Sequence, residues 1–281
     1  MQKKHYTRVL TIAGSDSGGG AGVQADIKTI SALGCYAASA ITAITVQNTL
    51  GVSAVHPVPT DIVEGQIRAV LDDIGADAVK IGMLQSSEIT ERIATILGKY
   101  AIRNIVLDPV MVSTSGHRLI EPEAVEALKS CLMPLARVIT PNIPEAEILL
   151  GGRRISNQAG LPDAAFELSR LTGTSVLLKA GHLAPDPRSG EAGTMVLTDY
   201  FYDAEKDELI ELPSGAVSTV NTHGTGCTMS SAFAAHLAKG CSLQDAARGA
   251  KAYIAGAIAD GAAYEIGHGH GPVNHFFLNQ K

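Results

Sequence analysis

Two glycine-rich segments each run into a helical pattern, and each could hold an anion on backbone N–H groups. One is Asn221-Thr222-His223-Gly224-Thr225-Gly226-Cys227, followed by a helix predicted over residues 228–238. Successive N–H groups at a helix start, with the helix dipole behind them, suit a phosphate. Gly224 and Gly226 remove the side chains that would block it. This is not a Walker A loop, because G-x-x-x-x-G-K-[ST] occurs nowhere in the chain. An ordinary helix start is the other reading of the same residues. The second segment, Gly18-Gly19-Gly20-Ala21-Gly22, lies between an apolar run and a helix predicted over residues 23–33. Gly20-x-Gly22-x-x-Ala25 partly matches the dinucleotide fingerprint. Against it, Ser15-Asp16-Ser17 separates strand from glycines, and no strand-end carboxylate follows about 20 residues on. Asp26 is too close for that role, and a tight turn without ligand is the alternative.

Carboxylates add to the phosphate reading. Asp108 ends an apolar run and precedes Pro109, and Asn142 and Glu145 follow the next run within Thr140-Pro141-Asn142-Ile143-Pro144-Glu145. Ligands bind at strand ends in open α/β sheets, and carboxylates there can hold Mg²⁺ directly or through water. Singly, Glu145 reads as a first-turn residue and Asn142 as a cap. Beside a phosphate-shaped loop they read better as a metal and phosphate group. Gly267-His268-Gly269-His270-Gly271 lacks supporting Cys or carboxylates and is assigned no metal.

The elements that must position these residues follow from periodicity. Residues 8–14, 78–83, 105–111, 137–141 and 175–179 read as buried strands. Helical spacing is clear in 61–74, where Val63, Ile67, Val70, Leu71 and Ile74 share a face, and in 86–100 and 121–136, with Pro122 in the first turn. The cleanest helix is 242–261, opened by the capping pattern Ser242-x-x-Asp245. Strands alternating with helices predict right-handed βαβ units and a mostly parallel sheet. Two departures are 38–59, two β-branched runs around Asn48-Thr49-Leu50-Gly51 that favour a sheet edge, and 193–214, strands joined by an acidic turn. With no internal repeat or linker, residues 1–281 are expected to form one α/β domain.

Composition narrows the partners. With 46% hydrophobic residues but only 4% aromatics and no Trp, the core must rest on Val, Ile, Leu and Ala, which suits a helix-covered sheet. A net charge of −6 argues against nucleic acid as partner. The cysteines Cys35, Cys131, Cys227 and Cys241 make no C-x-x-C pair, and no signal peptide or membrane span is expected. A cytoplasmic protein is the expectation.

Taken together, these segments resemble the ribokinase-like superfamily, and within it the hydroxymethylpyrimidine/phosphomethylpyrimidine kinases of thiamine biosynthesis. The resemblance runs almost end to end. It is carried by Ala13-Gly14-Ser15-Asp16, Gly19 to Asp26, Ile41-Thr42-Ala43 with Gln47-Asn48-Thr49, and Lys80-Ile81-Gly82-Met83-Leu84. Leu107-Asp108-Pro109-Val110-Met111, Thr140-Pro141-Asn142, Pro144-Glu145-Ala146, Lys179 with Gly181-His182, Asn221 to Cys227 and Gly269 to Phe276 complete it. It implies a three-layer fold, usually a homodimer, and two MgATP-dependent reactions. The first phosphorylates 4-amino-5-hydroxymethyl-2-methylpyrimidine and the second converts the monophosphate to the pyrophosphate.

The resemblance also implies roles. Gln47 would read the pyrimidine, since a carboxamide can accept from an exocyclic amine while donating to the ring nitrogen. Gly14 and Asp26 fall on the substrate site, although Asp26 has a competing reading as an exposed helix residue or local cap. Met83 and Val110 would cover the ring faces. Asp108 and Glu145 would hold Mg²⁺, and Asn142, Glu145 and Lys179 would meet ATP. Gly224, Thr225, Gly226 and Cys227 form the catalytic loop. Cys227 stands where an Asp base is common in the wider superfamily. A thiol at a helix start is expected to have a lowered pKa, so that its thiolate could take the hydroxyl proton. An inert buried thiol is the alternative. His223, next to the loop, receives no specific role. Pyridoxal/pyridoxine kinase is the nearest rival function, and a non-catalytic pyrimidine-binding regulator is the rival from another class. Residues 185–193, rich in Pro, Gly and charge, are expected to form a lid.

Overall fold

Runs of Val, Ile and Leu that are apolar at every position need cover on both faces, which the middle of a parallel sheet provides. The computed structural model, which describes residues 4–111, 120–181 and 196–279, places these runs there. Its strands are β1 (Arg8–Ser15), β2 (Tyr36–Asn48), β3 (Gly51–Pro57), β4 (Ala78–Ile81), β5 (Ile105–Leu107), β6 (Val138–Ile139), β7 (Ser175–Leu178), β8 (Val196–Asp203) and β9 (Glu208–Gly215). Among the described residues they form one sheet in the order β3-β2-β1-β4-β5-β6-β7-β8-β9. The six from β2 to β7 in that order run parallel, β3 and β8 run against them, and β9 pairs antiparallel with β8. Of the two runs expected at an edge, only β3 lies there; β2 is paired on both sides.

Several strands stop short of the apolar runs that announce them. The ladder ends at Leu107 rather than 111 and at Ile139 rather than 141. Pro109 and Pro141 have no N–H to continue it. The backbone released there carries Asp108, Asn142 and Glu145.

The helices are α1 (Gly22–Ala32), α2 (Thr60–Ala69), α3 (Ser87–Leu97), α4 (Pro122–Ala127), α5 (Ile143–Leu149), α6 (Leu161–Thr172), α7 (Thr225–Ala238) and α8 (Leu243–Gly261). The helical pattern of 61–74 ends in a π turn at Val70–Ile74, and that of 121–136 passes through a π turn at Leu128–Leu132 to a 3₁₀ turn at Met133–Leu135. At the start of α8, Ser242 caps by accepting from Asp245 N at 3.1 Å. Alternate strand residues serve opposite layers. Leu10, Ile12, Val176 and Leu178 pack with Ile67, Ile93 and Leu168 of α2, α3 and α6. Val9, Val106 and Leu177 pack with Phe233, Ala250 and Tyr253 of α7 and α8. Residues 228–235 of α7 are all buried, which explains a helix so rich in Ala and Ser. No helix among the described residues is long and apolar enough to cross a membrane.

Candidate functional site

The carboxyl ends of the parallel strands open onto one cavity of about 590 Å³. Two breaks in strand register shape it. The β1–β2 register shifts between Ala13 and Ser15, and the β2–β3 register shifts between Val46 and Gln47. Such bulges re-aim the neighbouring residues, and both Gly14 and Gln47 line the cavity, with Met83 and Val110 near them. The Gln47 carboxamide oxygen accepts from Thr45 Oγ1 at 3.2 Å, and its nitrogen lies 3.2 Å from His223 Nε2, whose proton goes to Asp16.

The first glycine segment wraps a carboxylate of its own chain. Asp16 accepts from the N–H groups of Gly18, Gly20 and Ala21 at 2.8, 3.0 and 2.8 Å, and contacts His223 Nε2 at 2.9 Å. Burial raises the Asp16 pKa, but the bonds from His223, Ala21 and Gly18 outweigh it and hold the group below its ordinary value. The tight-turn reading is the one this geometry bears out, because those amides are already taken. Asp16 thereby joins the first loop to the second.

The second segment differs. Gly224 precedes the first turn of α7 with φ +80°, and a side chain there would collide with the Gly20 carbonyl. Glycine is therefore required twice over, for the left-handed backbone and for the close approach. Residues 224–227 border the cavity at the positive end of the α7 dipole; of their amides, Thr225 N is engaged by Thr222 O at 3.3 Å.

Beside Gly226, Asp108 Oδ1 accepts from Lys179 Nζ at 2.8 Å and from Thr140 Oγ1 at 2.9 Å. Ser230 of α7 approaches its other oxygen at 3.3 Å. Burial works against ionisation of Asp108, yet Lys179 and Lys80 outweigh it and lower the pKa. Burial likewise lowers Lys179, and Asp108 and Glu145 reverse that, so it stays charged. Asn142 and Glu145 form a full capping box at the start of α5: Glu145 N donates to Asn142 Oδ1 at 2.9 Å, and Asn142 N donates to Glu145 Oε2 at 2.8 Å. The capping alternative thus holds geometrically, while both residues still line the cavity. Burial pushes the Glu145 carboxyl up to about 7, and the nearby charge of Asp108 adds to this.

Two expectations need correction. Asp26 does not line the cavity. It is fully buried on α1 and pairs with Lys80 Nζ at 2.9 Å, so it is neither a substrate contact nor an exposed cap. Cys227 does not have a lowered pKa. Burial pushes the thiol up to about 11; Lys80 and the Gly22 N–H pull it down, Asp26 and Asp108 push it up, and desolvation wins over the helix start. Sequence reasoning also missed Asp16, Lys80, Thr140 and Ser230. Their signal was faint: Lys80 sits inside an apolar run, the one place where a lysine needs a buried partner. His182 and residues 185–193, the expected lid, lie outside the described residues.

The pair Asp108 and Glu145 offers hard oxygen donors, and one of the two is held near neutrality by the other's charge and by burial. A divalent cation fits that chemistry. Among the described residues no three His, Cys, Asp or Glu converge, so the cation would be shared with phosphate oxygens, as Mg²⁺ commonly is.

Comparison with known proteins gives consistent findings. The family model described as phosphomethylpyrimidine kinase matches residues 16–274. A hydroxymethylpyrimidine/phosphomethylpyrimidine kinase of Rhizobium meliloti is 50% identical over 267 residues, covering 95% of this chain and 96% of the relative. The crystal structure of a phosphomethylpyrimidine kinase from Clostridium difficile superposes with TM-score 0.73 at 44% identity, over 88% of this chain and 97% of the other. An ADP complex of Bacillus subtilis pyridoxal kinase superposes with TM-score 0.86 at 36% identity, over 99% and 100% of the two chains.

Proposed function

The chain belongs to the phosphomethylpyrimidine kinase family, and from that premise we propose that it transfers phosphate from ATP to 4-amino-5-hydroxymethyl-2-methylpyrimidine and then to the monophosphate, in thiamine biosynthesis. The observation that carries the reading is one cavity in which the start of α7 lies directly against the Lys179–Asp108 pair: a side chain at Gly226 would come within 3.1 Å of Lys179 Nζ. Phosphoryl transfer asks chiefly for positioning and charge neutralisation, and these groups supply both.

The ring of the acceptor would rest against Gly14, Met83 and Val110, with Gln47 reading its amine and ring nitrogen. Thr45 holds that carboxamide before the substrate arrives, which lowers the entropy cost of recognition. The amides of Gly224, Gly226 and Cys227 would receive the transferring phosphoryl group, Thr225 N being engaged by Thr222 O. Lys179, released from Asp108, would meet a phosphate of ATP as a point charge. Asp108 and Glu145 would hold Mg²⁺, with Asn142 beside them at the triphosphate. The ion, when bound, supplies positive charge that offsets the charge developing on the phosphate oxygens.

Cys227, once its own proton has passed to solvent, would accept the hydroxyl proton as a thiolate. Its high resting pKa keeps the sulfur neutral between turnovers. A neutral thiol suits the second reaction, whose acceptor is an ionised phosphate that needs no strong base and that a fixed Asp would repel.

The assembly is read as a homodimer of single-domain chains. Support comes from a sheet that continues from β3 to β9 and from Ile44, Val46 and Leu50 on the β2–β3 ribbon, which are 51%, 58% and 69% exposed. Four unpaired cysteines support a cytoplasmic setting.

Purified protein given ATP with the hydroxymethylpyrimidine, its monophosphate or pyridoxal, followed by product mass, tests the reading. Successive gains of one and two phosphoryl groups on the pyrimidine are expected. Phosphorylation of pyridoxal alone would move the assignment to the neighbouring kinase, and no product with any acceptor would leave a binding protein.

A further inference from the structure

His223 precedes the second glycine segment, and its ring reaches two other groups of the cavity wall. Its Nε2 is 2.9 Å from Asp16 Oδ2 and 3.2 Å from the Gln47 carboxamide nitrogen. One ring nitrogen cannot donate and accept at once, so one of these contacts must govern. Asp16 governs. Its carboxylate already receives the N–H groups of Gly18, Gly20 and Ala21, which marks it as ionised and able only to accept. A bare Nε2 would set a lone pair against that charge, whereas a proton there makes a charge-assisted bond. The network therefore places the proton on Nε2. The ring has little room to turn away. His223 N donates to Gly271 O at 3.0 Å, and a side chain at Gly20 would come within 2.5 Å of the imidazole Cδ2.

What His223 offers Gln47 is thus a donor. Thr45, on the other side, has one hydroxyl proton and two oxygens to share it, Ser15 O at 2.7 Å and Gln47 Oε1 at 3.2 Å. The closer oxygen holds the larger share, and the hydroxyl keeps lone pairs that an N–H could use. Both neighbours therefore favour one arrangement, with the carboxamide oxygen toward His223 and its nitrogen toward Thr45. A half-turn about the last side-chain bond provides this at the same separations, because the two ends of a carboxamide are alike in shape. The backbone stays where it is: Ser17 Oγ donates to Gln47 O at 2.7 Å and accepts from Gln47 N at 2.9 Å.

We propose that His223, with its proton committed to Asp16, is a positioning residue that sets the polarity of Gln47: the carboxamide oxygen is held on the His223 side, so oxygen and N–H meet the acceptor in one order only. This rests on the kinase reading above and makes His223 specificity-determining for the ring. Under that reading the matching edge is an exocyclic amine beside a bare ring nitrogen. The 4-oxo ring, with a carbonyl beside a ring N–H, presents the reverse order. To bind it, Gln47 would have to set its N–H groups against the His223 donor, which is how one fixed proton rejects the wrong ring.

The test has two arms. In the first, nitrogen-15 NMR of ligand-free, histidine-labelled protein reads which ring nitrogen carries the proton, with the His223 signals assigned by their loss in His223→Gln. A protonated Nε2 is expected, and a bare Nε2 overturns the proposal whatever the chain phosphorylates. In the second, kcat/KM is compared for 4-amino-5-hydroxymethyl-2-methylpyrimidine and its 4-oxo analogue. Wild type is expected to favour the amine by roughly 10–100-fold, the discrimination of a good two-bond contact. His223→Leu removes the donor. His223→Gln keeps a bond to Asp16 but can turn either end toward Gln47, so it serves if the leucine variant does not fold. Each should cut the preference about fivefold or more, the lower end of what such a contact supplies. A merely structural role would lower both activities alike, and a preference left at the wild-type value overturns the proposal. Wild-type protein inactive on both rings would instead sink the kinase reading, and the first arm would still decide where the proton lies.

Discussion

Lys179–Asp108 and Lys80–Asp26 are ion pairs of nearly equal length, 2.8 and 2.9 Å, lying on either side of the start of α7. Their surroundings differ. The side chains of the first pair are 13% and 2% exposed, while those of the second have no exposed surface. Asp108 has Thr140 as a second close donor, whereas Asp26 is held by Thr11 and Ser231 as well as by both contacts from Lys80. A pair at the edge of a cavity can exchange its partner for a ligand, because an incoming phosphate or cation replaces what it loses. A sealed pair cannot, since each charge would be left without compensation. The same two residue types are therefore open to exchange in one place and locked together in the other.

Substitutions should split along this line. Asp26→Asn is expected to cost on the order of 3–5 kcal/mol of stability in a denaturant titration, because it strands a buried ammonium. Asp108→Asn should stay within about 1 kcal/mol of wild type by the same titration, yet lose roughly 10²–10³-fold in kcat. Equal stability losses in the two variants would erase the distinction.

A smaller effect concerns pH. Burial holds the folded Glu145 carboxyl near 7, above its ordinary 4.5, so the native state keeps a proton that the unfolded chain releases. The stability this provides is full below about pH 4.5 and is lost as pH rises through 7. Glu145→Gln retains the capping box and removes the titration. Wild type should lose on the order of 2–3 kcal/mol more than the variant across that window, followed by melts at fixed salt. Parallel profiles would mean that the carboxyl is not held protonated. The smallest expected change is at the acceptor end. Gln47→Leu should lower kcat/KM for the pyrimidine about tenfold while KM for ATP stays put, and an equal loss for both ligands would place Gln47 outside the acceptor wall.

What could be read beforehand follows the same division. The strands were legible because Val, Ile and Leu at consecutive positions have one use in a long α/β chain. The loop before α7 was legible because glycines at a helix start announce an anion. Asp108, Asn142, Glu145 and Lys179 were legible as polar residues just past apolar runs, and Pro109 and Pro141 marked where those runs leave the sheet. Asp26 was misread because its partner lies 54 residues away, and nothing local signals a contact of that range. Cys227 was misread because position on a helix is visible in sequence and depth is not; depth decided its pKa. Asp16 escaped notice because a carboxylate that fills a glycine loop from within resembles an ordinary turn residue.

The contact between Gly224 and the Gly20 carbonyl has a practical side. Neither loop has a shape of its own: one is moulded around Asp16, and the other is moulded against the first. Anyone grafting a new acceptor specificity onto this scaffold would have to transplant both turns as a matched set, because an exchanged partner would leave the remaining one with nothing to fit.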